Sequence, residues 1–267
     1  MDNNIFYKPK QIRGQGKIIN GVIIFIISAL LFLSRNKLMA FISSVTSLFQ
    51  KYSSYFITGL TYTVVLSAIA LVAGIILGVI IYFMRISKSK VVSGIAKGMV
   101  ELLRGTPLMV QLFIAYYGPT TFFDVRSLGI PTARLALISG AIAVSINSGA
   151  YVSEIIRSGI QSIGKGQMEA GRSLGMSYGE TMKEIIMPQA VKNILPALGN
   201  EFITLIKETS IVSVVGVGDI MYNVKIVQGA SFKPMEPLIV AAVLYFVLTF
   251  SLSKLLGIFE RRLKESD

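Results

Sequence analysis

The feature that most constrains this chain is a set of long runs without a charged residue. Between Lys51 and Arg85 lie 33 uncharged residues, mostly aliphatic, and further runs cover 105–123, 135–153 and 237–253. A helix needs about 20 mainly apolar residues to cross the hydrocarbon core of a bilayer. Only helices and closed barrels satisfy the backbone there, and these runs lack the alternation of barrel strands. The chain is therefore predicted to be an all-α, polytopic membrane helical bundle.

Six membrane segments are predicted. They cover 18–34, 56–84, 98–118, 135–156, 193–216 and 237–256. The first follows a basic stretch like that of a signal peptide, but the residues after it do not resemble a cleavage site, so a retained anchor is favoured. Most Lys and Arg outside the spans face the cytoplasm if both termini lie inside, as the positive-inside rule expects. That topology accounts for much of the net charge of +12 without a nucleic-acid partner.

The absence of cysteine and histidine limits the metal sites and catalytic groups that the chain can form. It excludes His or Cys zinc sites and any histidine general base, so an intramembrane enzyme is poorly supported. The stretch 159–166 approaches a phosphate-binding loop but lacks the Ser or Thr after Lys165. If ATP drives this protein, another chain must bind it. No metal or cofactor is expected in the chain itself.

Residues 35–55 carry an apolar stripe at helical spacing. Its members are Leu38, Phe41, Ile42, Val45, Leu48 and Phe49. The spacing is typical of an amphipathic helix. Two interpretations are open: a helix lying on the outer membrane surface, or a packed extension of the following span.

One long polar loop, residues 158–192, faces the cytoplasm in this topology. Ser177 and Glu180 form a capping box that starts a helix, and Gly175 suits the end of a preceding helix. Two short helices are predicted, near 166–174 and 178–187, with Pro188 limiting the second. Apolar residues in this loop offer a surface for a partner to cover.

Several charges and a proline fall inside or beside the spans. Pro107 predicts that the third span is bent or begins there. Glu154 can pair with Arg157 three residues on, and Glu201, Lys207 and Glu208 interrupt the fifth span. An unpaired charge costs about 2.5–3.5 kcal/mol at the bilayer centre. These residues therefore line a polar pathway or form ion pairs at the interface.

The loop carries a family resemblance. Glu169-Ala170-Gly171, then Gly175, then Ile185-x-Met187-Pro188 resembles the "EAA" loop of ABC-importer permeases, with matching spacing. Two positions depart from the pattern, since Gly171 replaces an alanine and Met187 a leucine. The resemblance implies that these residues couple the chain to an ATPase: Glu169, Ala170, Gly171, Gly175, Ile185, Met187 and Pro188.

Residues 56–262 are similar to the polar amino-acid branch of that family. The matching motifs include Arg104-Gly105-Thr106-Pro107-Leu108, Asn147-Ser148-Gly149-Ala150-Tyr151, Leu195-Pro196-Ala197-Leu198-Gly199-Asn200 and Lys207-x-Thr209-Ser210. The resemblance implies a five-helix importer core, here with one extra N-terminal span. It also implies a second permease subunit, identical or similar, two cytoplasmic ATPase subunits that bind ATP-Mg, and an extracytoplasmic amino-acid-binding protein.

The chain is accordingly divided into an N-terminal region 1–55, a permease core 56–262 with its loop 158–192, and a tail 263–267. The candidate substrate-pathway residues are Glu154, Asn147, Gln161, Lys207 and Glu208. Glu154 is expected to meet the ammonium group of the substrate. Gln161, where a further acid would suit a basic substrate, favours a neutral polar or cystine-like one. A passive channel, a secondary carrier and a membrane scaffold remain as rivals, and co-purification with an ATPase would separate the first two from an importer.

Overall fold

The computed structural model describes the backbone of residues 15–122 and 129–264, with side chains at residue 20 and over 35–122 and 129–263. Every element in these ranges is helical. The helices are α1 (Gln15–Arg85), α2 (Lys90–Gly105), α3 (Leu108–Phe122), α4 (Thr132–Gln161), α5 (Lys165–Ser173), α6 (Tyr178–Thr181), a π-helical turn (Met182–Ile186), α7 (Met187–Glu208), a 3-10 helix (Thr209–Val215), α8 (Ile220–Ser231) and α9 (Glu236–Lys264). The all-α fold class is confirmed.

Three helices of the described chain are long and apolar enough to cross a membrane: Arg35–Arg85, Thr132–Gln161 and Glu236–Leu263. They contain the predicted spans 56–84, 135–156 and 237–256. Two bent helix pairs, Lys90–Phe122 and Tyr178–Ser231, raise the number to as many as five if each pair is one span. The pairs contain the remaining core spans, 98–118 and 193–216.

The N-terminal part of α1 bears on the two interpretations of 35–55. Leu48 is buried with Val224 of α8 and Val240 of α9, and Val45 packs against them, so the C-terminal part of this segment packs as an extension of the next span. Three other residues of the predicted stripe are exposed: Leu38, Ile42 and Phe49. The one non-helical residue of the segment is Tyr52, at φ −115° and ψ 20°. The predicted span 18–34 is the helical start of α1, but its side chains lie outside the described residues. The basic tail 1–14 and residues 265–267 lie outside them as well.

Helices α1 and α4 form the centre of the bundle because small residues let their backbones approach. A Cβ on Gly74 would lie 2.6 Å from Ser148 Oγ, and one on Gly78 would lie 2.6 Å from Val152 Cγ1. Such close approach is the use that membrane helices make of small residues four apart. Gly74 and Gly78 are therefore packing residues between α1 and α4.

The third span is bent, as Pro107 predicts. Helices α2 and α3 meet at 107° across Thr106 and Pro107. The break frees backbone carbonyls, and Gln111 Nε2 donates to two of them, Leu103 O at 2.7 Å and Thr106 O at 3.1 Å. A side-chain amide thus replaces hydrogen bonds that the proline removes.

The fifth span is followed by a 3-10 helix and the short helix α8, neither of which was predicted from the sequence. After α7 the chain tightens into the 3-10 helix and stops at Gly216, whose φ of +93° suits glycine. Asp219 then caps α8, with its carboxylate accepting from the Tyr222 N–H at 2.8 Å. Helix α8 was not predicted because it is short and its apolar residues join the preceding and following spans in one hydrophobic stretch.

Candidate functional site

The predicted helix pair in the loop is present as α5 and α6, which form a hairpin (residues 165–186, the coupling hairpin). Helix α5 ends in a Schellman motif: the Met176 N–H donates to Gly171 O at 3.2 Å and the Gly175 N–H to Arg172 O at 3.1 Å. Gly175 has φ +89°, a conformation that other residues adopt only with strain. The role predicted for Gly175 as a helix stop is confirmed.

Helix α6 begins at the predicted capping box. The Glu180 N–H donates to Ser177 Oγ at 3.2 Å, and the Ser177 N–H donates to Glu180 Oε2 at 2.7 Å. These bonds from Ser177, first from its backbone and then from its side chain, hold the pKa of Glu180 below its ordinary value. The turn between the two helices is therefore fixed from both sides by local hydrogen bonds.

Gly171 closes the hairpin. It is buried, and a Cβ there would lie 2.5 Å from Thr181 Cγ2 and 3.2 Å from Ile185 Cδ1. The glycine that departs from the family pattern thus faces a β-branched threonine on the opposite helix. Within the coupling hairpin the two arms are in van der Waals contact, so they can move as one body.

Pro188 does not limit the second helix, and that prediction is wrong. The chain continues from α6 through the π-helical turn into α7, where Pro188 occupies the first helical turn. In the turn the Met187 N–H donates to Met182 O, five residues back. The wider turn accommodates a proline that would otherwise clash with the preceding turn. The coupling hairpin is thereby joined without a break to the long helix α7.

The tip of the coupling hairpin is apolar and exposed. Leu174 is 82% exposed and Tyr178 62% exposed. Neither was among the predicted coupling residues. Of those, Glu169 and Ala170 lie on the exposed side of α5, while Met187 and Pro188 start α7 in exposed positions. Exposed large apolar residues at the end of a rigid hairpin form a surface suited to a protein partner.

Glu154 lies in an ion-pair network at one end of α4. Its Oε2 is 2.8 Å from Arg85 Nη1, and its other oxygen pairs with Arg157. Arg157 also donates to the side-chain oxygen of Gln161. The structure therefore brings Glu154 and Gln161 together, through arginines that join the end of α1 to α4.

Asn147 lies apart from that network. Its side chain is buried, and Nδ2 donates to Gln111 Oε1 at 3.1 Å and to Leu103 O at 3.5 Å. The amide therefore supports the break between α2 and α3. Sequence reasoning missed Gln111, although its place four residues after the break proline was a usable signal.

One face of α7 carries polar residues from Asn193 to the end of the helix. This polar stripe comprises Asn193, Asn200, Glu201, Thr204, Lys207 and Glu208. Its members recur at three, four and seven residues, so they share a face of the helix, while Ile194, Leu205 and Ile206 are buried against the bundle. The stripe contains the predicted pathway residues Lys207 and Glu208. It adds Glu201, which had been noted only as a charge in the span.

The Glu201 carboxylate accepts a hydrogen bond from Ser148 on α4, whose Oγ lies 3.1 Å from Glu201 Oε1. Within the described ranges, no group of three acidic, histidine or cysteine side chains could hold a metal ion. The arrangement combines a rigid hairpin at one end of the bundle with a polar stripe along a spanning helix. It has the parts of a membrane transport subunit.

The comparison with known protein families supports this interpretation as a membrane transport subunit. The family described as "Binding-protein-dependent transport system inner membrane component" matches residues 70–265. The chain belongs to this family, and it is a multi-pass inner-membrane permease subunit.

Individual relatives of the chain are permeases of amino-acid transport systems. The chain is 40% identical over 213 residues to the arginine transport system permease protein ArtQ of Bacillus subtilis, covering 80% of this chain and 94% of that one. It is 37% identical to the putative glutamine transport system permease protein GlnP of Rickettsia bellii, covering 78% and 93%. The resemblance to amino-acid permeases is confirmed.

Solved structures support the same fold. A crystal structure of an amino acid ABC transporter with histidines matches with a TM-score of 0.74 and 46% identity, covering 79% of this chain and 95% of that one. An inward-facing methionine transporter, MetNI, matches with a TM-score of 0.59 but only 14% identity, and this likeness concerns the fold alone.

Proposed function

We propose that this chain forms the translocation pathway of an ATP-driven importer of polar amino acids. The observation that carries the proposal is the coupling hairpin, whose turn is fixed by a Schellman motif and a capping box and whose tip exposes Leu174 and Tyr178. A passive channel or secondary carrier has no use for such a docking element. The names of the relatives, which include arginine and glutamine permeases, support the substrate class.

Membership of the family supports a complex with ATPase and substrate-binding partners. Two cytoplasmic ATPase subunits hold ATP-Mg, a second permease subunit of the same or a similar kind completes the pore, and an extracytoplasmic protein delivers the amino acid. This chain itself is non-catalytic. Both of its termini lie in the cytoplasm, since the charge distribution follows the positive-inside rule.

The mechanism is a two-state switch. Closure of the ATPase pair moves the docked hairpin, and because α6 runs through the π-helical turn into α7, the movement passes directly to the helix that carries the polar stripe. Phosphoryl transfer takes place in the partner subunits, and this chain converts their closure into a change of pore access.

Glu154 stays a candidate for meeting the substrate's ammonium group. To do so it must give up a bond to Arg85 or Arg157, which both hold it now. Gln161 is occupied by Arg157, so its side chain no longer favours a neutral or cystine-like substrate over other polar amino acids.

Replacement of Leu174 by glutamate tests the proposal. A charge at the apolar tip should disrupt docking, so that the ATPase no longer co-purifies and ATP-driven amino-acid uptake into proteoliposomes falls at least tenfold, because central apolar anchors contribute about 2 kcal/mol or more to an interface. Phe232→Glu is the matched control: Phe232 is 91% exposed and lies on the α8–α9 turn, away from the hairpin. Undiminished coupling in Leu174→Glu, or uptake without any ATPase, would contradict the proposal.

A further inference from the structure

A polar cavity lies at the end of the bundle that carries the α8–α9 turn. It has a volume of about 260 Å³ and opens between the N-terminal part of α1 and the end of α8. Among the described residues that line it are two lysines, two serines and a tyrosine, and no carboxylate: Lys51, Lys233, Ser47, Ser231 and Tyr52. The cavity is therefore basic, and it lies apart from the coupling hairpin and the polar stripe.

Irregular backbone shapes both walls of this cavity. On α1, Tyr52 leaves the helical conformation at φ −115° and ψ 20°, and its Oη donates to Ala230 O at 3.4 Å. On the opposite wall, between Ser231 and Lys233, Phe232 adopts φ +55°, the one positive φ of a residue other than glycine in the described part of the chain. Backbone held in sparsely populated conformations clusters at functional sites. Two such residues flank the same opening.

The two lysines differ in how far their charge is compensated. Lys233 Nζ donates to Ser44 Oγ at 2.5 Å and lies 3.9 Å from Glu236 Oε1. Lys51 forms no ion pair with a carboxylate over the residues that the structure describes, and its Nζ lies 5.3 Å from the ring centre of Tyr52. Two ammonium groups thus stand against one carboxylate, which leaves an excess of one positive charge for an anion to balance.

The ammonium groups are also the hydrogen-bond donors that the cavity can offer. The hydroxyl of Ser47 donates to Ser44 O at 3.0 Å, and that of Ser231 donates to Val227 O at 2.6 Å. Both hydroxyls are therefore engaged by the backbone of their own helices. An anion in the cavity would be held mainly by charge-assisted hydrogen bonds from the two lysines.

The position of the cavity identifies the class of anion. In the proposed topology Lys51 and Lys233 lie on the extracytoplasmic side, against the positive-inside bias, so a local reason must keep them there. Tyr52 and Tyr55 accompany Lys51, and tyrosine is enriched at the level of the lipid headgroups. The exposed apolar side chains of Phe49 and Met235 neighbour the lining residues in the sequence. Lysine, tyrosine and exposed apolar side chains together suit a phospholipid at the membrane surface.

We propose that this cavity binds the phosphate of an anionic phospholipid, which bridges α1 and the α8–α9 turn. Basic pockets between membrane helices bind anionic headgroups. A phosphodiester with a neutral glycerol substituent, as in phosphatidylglycerol, matches the single excess charge, whereas the choline of phosphatidylcholine adds a cation beside the lysines. The α1 wall, residues 47–52, lies outside the matched family region 70–265. The inference concerns the membrane and not the transported substrate, so it goes beyond the proposed function.

The test measures lipid binding to the complete permease–ATPase complex by native mass spectrometry. The delipidated complex in detergent is titrated with dioleoyl phosphatidylglycerol or dioleoyl phosphatidylcholine, and the dissociation constant of the tightest-bound lipid is determined for each. Phosphatidylglycerol should bind at least fivefold more tightly. Lys51→Gln and Lys233→Gln should each weaken its binding about fivefold, and the double variant about 25-fold, as expected for the attraction of one lysine to an anionic lipid surface.

Two variants serve as controls. Lys37→Gln makes the same change at an exposed position of α1 outside the cavity, and should leave the dissociation constant within about twofold. Lys51→Arg keeps the charge and should retain binding. If Lys233→Gln fails to assemble because its bonds to Ser44 and Glu236 are lost, the pair Lys51→Gln and Lys51→Arg decides, since Lys51 has no such bonds to lose.

Competition distinguishes a lipid headgroup from a free phosphate. Inorganic phosphate and soluble glycerophosphoglycerol, at the concentration of the lipid, should not displace phosphatidylglycerol, because neither has acyl chains. Displacement by inorganic phosphate would assign the cavity to a free anion and overturn the inference. Equal binding of the two lipids, or phosphatidylglycerol binding that persists in the double variant, overturns it as well. No transport is measured, so none of these results depends on whether the chain is an importer.

Discussion

At the residue scale, Gly171 shows how a departure from a family pattern can be explained by its local packing. The pattern of the family has alanine at this position. In the structure a Cβ at this position would meet Thr181 Cγ2 at 2.5 Å and Oγ1 at 2.9 Å. The glycine and the threonine therefore fit each other as a pair across the hairpin.

Gly171→Ala is accordingly expected to destabilise the coupling hairpin by about 1–3 kcal/mol, the usual cost of overpacking. Adding Thr181→Ser removes the nearest methyl group while keeping a hydroxyl that can donate to Ser177 O, as Thr181 does at 3.0 Å. The double variant should recover at least half of the loss. Protease sensitivity of the hairpin, measured as a double-mutant cycle, checks the coupling.

Gly166→Ala is the control for that cycle, because nothing lies within 4 Å of its Cβ position. Alanine is the better helix former, so this variant should be neutral or slightly stabilising. If Gly171→Ala and Gly166→Ala behave alike, or if Thr181→Ser brings no recovery, the packing explanation is wrong.

At the element scale, helix ends that depend on neighbouring residues could be predicted from the sequence. The connections between helices could not. The capping box at Ser177 and the stop at Gly175 depend on residues within one turn of each other, so the sequence located α5 and α6 closely. Pro188 was misread because its effect depends on the π-helical turn before it. The contact between Ser148 and Glu201 was not predicted because the two residues are 53 positions apart and only folding brings them together.

The fixed turn of the coupling hairpin gives a prediction for Gly175. Its φ of +89° is costly for residues with a Cβ, by about 1–2 kcal/mol, so Gly175→Leu should disturb the angle between α5 and α6. Transport-coupled ATP hydrolysis in proteoliposomes should be abolished while the protein remains in the membrane. Gly175→Asn should be less affected, since asparagine tolerates this conformation better.

Gly166→Leu is the comparison for bulk alone, because Gly166 lies in α5 with open space around it. It should retain most of the coupled activity. Normal coupled turnover in Gly175→Leu would show that the hairpin does not need its left-handed stop.

At the scale of the whole molecule, one membrane topology of the N-terminal region has to account for both its charge pattern and its helix geometry. The residues after position 35 pack along α8 and α9, and Ser44 Oγ donates to Glu236 Oε1 at 2.9 Å at the start of α9. The segment therefore runs toward the side of the bundle on which the α8–α9 turn lies. If the basic N-terminal tail is to lie in the cytoplasm, the predicted span 18–34 must cross the membrane to the side opposite the α8–α9 turn.

Cysteine labelling can decide this topology, because the chain has no cysteine of its own. Single cysteines are introduced at Asn3, at exposed Phe232 on the α8–α9 turn, and at Ser266 near the C-terminus. With a membrane-impermeant maleimide on intact cells, Phe232→Cys should label strongly, and Asn3→Cys and Ser266→Cys should label only after permeabilisation. The reason is that the flanking Lys and Arg residues favour retention on the cytoplasmic side. Labelling of Asn3→Cys in intact cells, with Ser266→Cys still protected, would mean that 18–34 does not span and that α1 continues outward as one helix.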